Sequence, residues 1–368
     1  MNHSKPNITK REAEAAYTAV QTGNLATGVY CTKFEEKFTK MFGYKHVLAV
    51  NSGTSALMLA LLALGVGEGD EVIVSPYTMV ASVNVVLSVG ATPVFVDIDP
   101  KTYCITAENI EEALTAKTKA VIPVDIFGVP CDAAAIREIL PDTVHIVQDT
   151  IEALGSLYQG EAVGHHADAG AYGFFPNKQI TTGIGGVLFT NDEDLYEKAK
   201  ALSRHGVKTT VSGGDMRSQG YGFNLRMSDV TAAIGYVQLD RFNEITAKIH
   251  KVRDLMDVYF SNWRKQETRE TDYCNDFVYV VQVEGVDKDR LISDMAAEGI
   301  PVKQYFVSLH HLDHLKQYAT GSLPHAEKVA NETVALPYHH ELGLEDIKKI
   351  FHAFLRCLHL QGLKNDYA

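Results

Sequence analysis

The sequence predicts an α/β fold: a large domain with a mostly parallel sheet sandwiched by helices, then a smaller C-terminal α+β domain. Three observations predict it. Short, continuous apolar runs rich in Val and Ile alternate with helical patterns from about residue 46 to residue 149. Strands of that unbroken kind belong to parallel sheets covered on both faces. A long helical pattern spans residues 229–259, and beyond it the order becomes strand, helix, strand and a closing amphipathic helix. With 368 residues, 46% of them apolar, the chain has ample core for two units. The boundary falls near residue 245. It divides a domain 1–245, including an N-terminal arm, from a domain 246–368.

Each element has its own pattern. HVLAV (46–50) is a buried strand, and SALMLALLALG (55–65) is a helix closed by Gly65. EVIVS (71–75), VASVNVVLSVG (80–90), PVFVDID (93–99), NIEEALT (109–115), AVIPVDIFG (120–128), AAAIREIL (133–140) and VHIVQD (144–149) continue the alternation. AYGFF (171–175) is a further strand, ended by Pro176 and Asn177. DEDLYEKAKALSRHG (192–206) is a helix, and SGGDMRSQGYGF (212–223) is a glycine-rich bend. Val230, Ile234, Val237, Ile245, Ile249, Val252, Met256 and Tyr259 form one apolar stripe, which predicts a single helix from Asp229 to Tyr259. DFVYVVQVEG (276–285), DKDRLISDMAAEGI (287–300) and PVKQYF (301–306) make the small unit, closed by EDIKKIFHAFLRCLHL (345–360). No internal repeat is present.

Composition excludes several function classes. A net charge of −12 argues against a general nucleic-acid surface, which needs clustered Lys and Arg. It leaves room for one small phosphate pocket built from backbone N–H groups. Cys31, Cys104, Cys131, Cys274 and Cys357 are odd in number and form no C-x-x-C, as expected of reduced thiols. No apolar run approaches the length of a membrane span, and MNHSKPNITK is not a signal peptide. A soluble, cytoplasmic protein is expected.

In open α/β sheets, ligands sit beyond the carboxyl ends of the strands, so the residues there are the candidates. After the first strand, Asn51-Ser52-Gly53-Thr54-Ser55-Ala56 runs directly into a helix. Such a turn offers free N–H donors and the positive end of the helix dipole, which suits a phosphate. Taken alone it reads rather as an ordinary N-cap. Tyr77 can offer a flat face to an aromatic ring, or simply pack. Asp149, at the end of a buried strand with Glu152 close behind, is poorly solvated unless a cation faces it. Lys178 lies just past a strand end; there a desolvated amine can act as a nucleophile. A phosphate cradle, an aromatic lid, a carboxylate and an amine at one rim are what pyridoxal phosphate requires. The lysine bonds the cofactor as a Schiff base, the helix N-terminus takes the phosphate, Tyr77 stacks on the ring, and Asp149 keeps its nitrogen protonated.

The run NSGTSALMLALLALGVGEGDEVIVSPYTMVAS (51–82), with PVFVDIDP, QDTIEALGS, FFPNKQITTGIGG and GFNLRMSDVTAAIG, resembles the DegT/StrS group of sugar aminotransferases. The likeness extends from ATGVYCTKFEEKF (26–38) to LPYHHELGLEDI (336–347). It implies the fold of type-I pyridoxal-phosphate enzymes, and matches Lys178 to the Schiff-base lysine and Asp149 to the pyridinium partner. Gly53, Thr54 and Ser55 match the phosphate turn, Tyr77 the stacking position, and Glu152 a residue near the phenolic oxygen. Asn224 matches a residue that reaches the partner's phosphate across a homodimer interface; Arg226 can orient Asn224, touch the partner subunit, or equally form an ordinary interface salt bridge. The resemblance also implies glutamate or glutamine as amino donor and a keto sugar, usually nucleotide-linked, as acceptor. Transfer would be ping-pong through a pyridoxamine form, with Lys178 carrying the proton. Thr27 and His310 are candidate substrate contacts.

Two positions depart from the group. Many members carry Ser where this chain has Gly173, which removes one hydroxyl donor to the phosphate, and many have an acidic residue at Ile184. Related deoxysugar dehydratases carry His in place of the lysine, so Lys178 speaks against that reaction. A non-catalytic, cofactor-binding regulator is the remaining alternative. His310, His311 and His314 contain an i,i+4 pair, but there is no H-E-x-x-H glutamate and Asp313 between them has no evident role, so no metal is expected.

Overall fold

The computed structural model describes residues 1–362 except 24, 212–214, 219 and 265. Its centre is a seven-stranded sheet: β1 (His46–Val50), β2 (Glu71–Val74), β3 (Thr92–Phe95), β4 (Thr118–Ile122), β5 (His145–Asp149), β6 (Ala169–Gly173) and β7 (Gly186–Thr190). Their spatial order is β1-β7-β6-β5-β4-β2-β3. Only β7 runs against the rest, pairing antiparallel with β6 (Tyr172 opposite Val187) and with β1 (Leu48 opposite Leu188). Side chains alternate between two buried layers. Leu48 and Val50 of β1 join one core with Leu57, Val74 and Ile122, whereas Val47 and Ala49 join another with Phe38, Tyr172 and Phe189. This two-residue period with both faces covered is why the strands read as unbroken apolar runs.

Helices α1 (Lys10–Gln21) and α2 (Val29–Phe42) precede the sheet, and α3 (Gly53–Ala63), α4 (Ala81–Ser88), α5 (Ala107–Ala113), α6 (Ala133–Ile139) and α7 (Glu193–Leu202) alternate with its strands. Helix α3 is almost wholly buried, so its start is fixed firmly against the sheet's carboxyl edge. Of the glycine-rich bend, residues 212–214 and 219 lie outside the described residues; the flanking segments Val207–Val211 and Asp215–Ser218 pair as antiparallel strands.

The single helix predicted from Asp229 to Tyr259 is two: α8 (Asp229–Asp240) and α9 (Phe242–Phe260), broken at Arg241. The cause is the side chain at the break. Arg241 turns inward, donating to Glu12 at 2.6 Å and to the carbonyl of Asn7 at 3.2 Å, and so ties the N-terminal arm to the helix junction. The boundary read at residue 245 falls inside α9. Ile245 packs in the core of Phe34 and Phe38, while Val252, Met256 and Phe260 pack in a separate C-terminal core.

That C-terminal unit holds α10 (Lys288–Ala297), α11 (Pro324–Glu332), α12 (Leu344–Leu360) and a two-stranded sheet of β8 (Val280–Gln282) and β9 (Thr333–Ala335). PVKQYF is not a strand; Lys303 makes a single bridge to Ala335. Leu309, Leu315, Leu323 and Ala326 pack back into the large-domain core. Among the described residues, no helix is long and apolar enough to cross a membrane.

Candidate active site

The sheet brings the sequence candidates to one edge. Asp149 is the last residue of β5, α3 starts three residues after β1, and Lys178 lies five residues past β6. The turn carrying the lysine is closed by its own backbone: the N–H of Lys178 is donated to the carbonyl of Phe175 (2.9 Å), and that of Thr182 to the carbonyl of Phe174 (3.1 Å). A cavity of about 410 Å³ lies there, lined by Gly53, Thr54, Asp149, Glu152 and Lys178 among others. This is within the size range of small-molecule sites.

The Lys178 amine donates to Glu152 Oε1 at 3.2 Å and lies 4.2 Å from the centre of the Phe277 ring. The second oxygen of Glu152 accepts the N–H of Phe127 at 3.0 Å. Asp149 is buried, and burial pushes its carboxyl up to about 6. Donors from the Ser82 hydroxyl (2.6 Å, to Oδ2) and the Ile151 N–H (3.1 Å, to Oδ1) oppose that shift without cancelling it. A third carboxylate, Asp125, lies beneath; burial pushes it up to about 7, and it accepts both contacts of the Gln148 amide.

Two predicted contacts are placed differently. Tyr77 does not line the cavity. It is fully buried, packed edge-on to Tyr103 and Phe127, and its hydroxyl is donated to the carbonyl of Tyr305. The residues from that loop that line the cavity are Thr78, which is buried, and Met79, which is 55% exposed. Two positions on, the chain has turned from the core to the cavity, a change that the loop's residue types alone do not reveal. Ser55 is likewise drawn away, donating its hydroxyl to Asn51 at 2.7 Å, while Ser52, Gly53 and Thr54 line the wall.

Asn224 is not among the lining residues. It accepts from Arg226 Nε at 3.1 Å, and the N–H of Asn51 bonds its neighbour Leu225 at 2.9 Å. Thr27 is exposed and apart from the cavity. His310 is buried with its Nε2 3.1 Å from Glu327, which His311 also approaches at 3.5 Å; His314 turns instead to Asn84. His310, His311 and Glu327 thus cluster outside the cavity lining, their ligand atoms within 4.8 Å of one another and His310 Nδ1 buried without a hydrogen-bond partner, and the i,i+4 pair of the sequence does not form. Ser82, Ile151 and Met79 are the residues the sequence reading missed. Ser82 had a weak signal, as a hydroxyl on the first turn of a helix beside the site.

The residues fit pyridoxal phosphate on their own chemistry. Asp149 is a buried acid raised by burial, and among the described residues it makes no ion pair; a protonated ring nitrogen supplies the missing cation. The start of α3 offers unpaired N–H groups to a phosphate, and the amine of Lys178 suits an aldehyde. This sheet with this edge defines a pyridoxal-5′-phosphate enzyme of fold type I.

Comparison with known proteins agrees. The model of the DegT/DnrJ/EryC1/StrS aminotransferase family matches residues 6–355, and the chain belongs to that family. It is 36% identical to a GDP-perosamine synthase of Caulobacter vibrioides, over 90% of this chain and 91% of that one. It is 33% identical to the spore coat polysaccharide biosynthesis protein SpsC of Bacillus subtilis, over 95% of each. A putative sugar aminotransferase of Streptococcus pneumoniae, solved in its PMP form, superposes with a TM-score of 0.92 at 28% identity, over 98% of this chain and 99% of that one. The protein is thus a pyridoxal-phosphate-dependent aminotransferase.

Proposed function

We propose that the protein moves an amino group from glutamate or glutamine to a keto sugar carried on a nucleotide. The single observation that carries the residue roles is that the Lys178 amine and the Asp149 carboxylate line the same cavity. Bound pyridoxal phosphate supplies the electron sink that lets an α-proton leave. Lys178 bonds the cofactor at rest and, once freed, carries the proton on and off the reacting carbon. Asp149 holds the proton on the ring nitrogen. Gly53 and Thr54 offer the phosphate N–H groups, and Glu152 holds the amine against Phe277. The sugar-nucleotide reading is supported by the Caulobacter relative, named for GDP-perosamine synthesis.

A homodimer completes this reading. Met79, Phe175 and Ile184 stand at the cavity wall 55%, 58% and 64% exposed, an apolar rim of the kind a second subunit covers. Asn224, off the cavity of its own subunit, is then free to serve the partner's. All five cysteines are free, which suits a reducing cytoplasm.

The test is to load the protein with pyridoxal phosphate, add glutamate, and assay 2-oxoglutarate and the absorption of the bound cofactor. Stoichiometric 2-oxoglutarate with a spectral change, followed by amination of nucleotide-linked keto sugars, is the expected result. A loaded protein that releases none has a different function.

A further inference from the structure

Ile151 stands two residues past Asp149 and lines the cavity beside Gly53 and Gly173. Its N–H is donated to Asp149 Oδ1, so its backbone is tied to the acid. Its side chain fills the angle between the two glycines. A Cβ added at Gly173 would lie 3.1 Å from Ile151 Cγ2, and one added at Gly53 would lie 2.7 Å from Ile151 Cδ1. Neither glycine has a positive φ. Backbone conformation therefore demands glycine at neither position; a side chain at either must push Ile151 aside. One side chain thus touches the ends of β5 and β6 and the start of α3, the three segments that converge on the cavity.

We propose that Ile151 is a positioning residue for the cofactor: it occupies the volume a side chain at 173 would need and makes that wall of the phosphate cradle apolar. The inference rests on the pyridoxal-phosphate reading above. Within one subunit the phosphate is then held from the start of α3, by N–H groups and by the hydroxyls of Ser52 and Thr54, with no donor from β6. Changes at positions 151 and 173 are therefore coupled through one shared volume. A hydroxyl at 173 strengthens the grip only when residue 151 is cut back.

The test is a double-mutant cycle on cofactor affinity, measured by equilibrium dialysis of apoprotein against pyridoxal phosphate. Gly173→Ser alone is expected to weaken binding about tenfold, as the new side chain displaces Ile151. Ile151→Ala alone weakens it a few fold. The double variant binds more tightly than either single variant and at least as tightly as wild type, because the added hydroxyl reaches the phosphate in the space released. Ile151→Val gives a second arm, since it keeps Cγ1 and Cγ2 and loses only Cδ1. It fails to rescue Gly173→Ser, whereas alanine does. Melting curves of the apoproteins identify any variant that does not fold, and the Val series then carries the comparison through Gly173→Ala. The proposal is overturned if Gly173→Ser binds as tightly as wild type with Ile151 in place, or if the two effects simply multiply. Wild-type protein that binds no pyridoxal phosphate overturns the function reading and this inference with it; binding with independent effects overturns this inference alone.

Discussion

Glu152 ties Lys178 to the backbone of the segment that follows β4: one carboxylate oxygen accepts from the lysine amine at 3.2 Å and the other from the N–H of Phe127 at 3.0 Å. The amine is therefore held by a group that is itself anchored to backbone. Glu152→Ala removes both contacts, freeing the lysine and leaving a buried N–H without its partner. The expected loss in kcat is about ten- to a hundredfold with the cofactor retained. Glu152→Gln, which still offers Phe127 an acceptor, recovers part of it. Steady-state kinetics on the two loaded variants check this; equal kcat in both and in wild type contradicts the anchoring role.

Lys178→Ala removes the amine altogether. Turnover should fall by more than about a thousandfold, since both the covalent hold and the proton carrier are lost. The cofactor should also become removable by simple dialysis. Absorbance of the dialysed protein and product assay read the two losses separately. Normal turnover without the amine would end the assignment of Lys178.

Asp149 gives a pH prediction whose sign is fixed by burial. Its folded value, about 6, is raised from an ordinary 3.8, so the cofactor-free fold is penalised where the group must ionise. The penalty is absent below about pH 4, grows as pH rises towards 6, and is about 3 kcal/mol above that. Asp149→Asn should therefore make the apoprotein more stable than wild type at pH 7 and no more stable at pH 4. The same substitution should abolish turnover, because asparagine cannot hold a proton on the ring nitrogen. Comparing urea unfolding of the two apoproteins at both pH values cancels the contribution of Asp125, which is common to both. A stability gap of the same size at pH 4 and pH 7 contradicts the assignment.

Much of this site is legible in the sequence because parallel strands deliver their carboxyl ends to a common edge. Asp149 closes β5 and the NSGT turn opens α3, so their meeting comes from parallel topology alone. Lys178 needed β6 to stop at Gly173, two residues earlier than the apolar run suggests, and the short turn to carry it inward. Rotation within a loop was illegible. Tyr77 and Met79 are both plausible neighbours of a flat ring, and only the contact of Tyr77 with Tyr305 decides that the tyrosine goes to the core. The break at Arg241 was hidden for a related reason. The apolar stripe continues across it, while the cause, Glu12, lies far away in sequence. β7 escaped notice because its apolar run comes after glycines that read as loop.

The apolar rim supplies a prediction about assembly. Phe175 is 58% exposed at the cavity wall, and burying a charge there at a subunit interface is costly. Phe175→Glu should shift a dimer to monomer and lower turnover by about tenfold or more, with little change in melting of the subunit. Sedimentation velocity, run alongside activity, reads both. A variant that stays dimeric and active shows that this rim is not part of the interface.

The arm prediction turns on Arg241 and Glu12, which are 2% and 1% exposed and 2.6 Å apart. Burial pushes the Glu12 carboxyl up, but donors from Thr9, Arg241 and Gln238 outweigh it and hold the group down to about 2. Its contribution is therefore complete above the ordinary carboxylate range and is lost as pH falls from about 4.5 to about 2. Arg241→Met leaves Glu12 buried without its cation and should cost about 3–5 kcal/mol at pH 7. Pairing it with Glu12→Gln removes the stranded charge and should restore most of that stability. The arm also passes beside Lys178, where Ser4 and Asn7 wall a small neighbouring void with Asn177 and the lysine. Arg241→Met should accordingly loosen the lysine turn and lower kcat by several fold even at temperatures where the protein stays folded. Urea unfolding of both variants at pH 7 and pH 3, with kcat measured at 25 °C, tests the two effects. A double variant as unstable as the single one would show that packing of the arginine stem, not the stranded carboxylate, sets the cost.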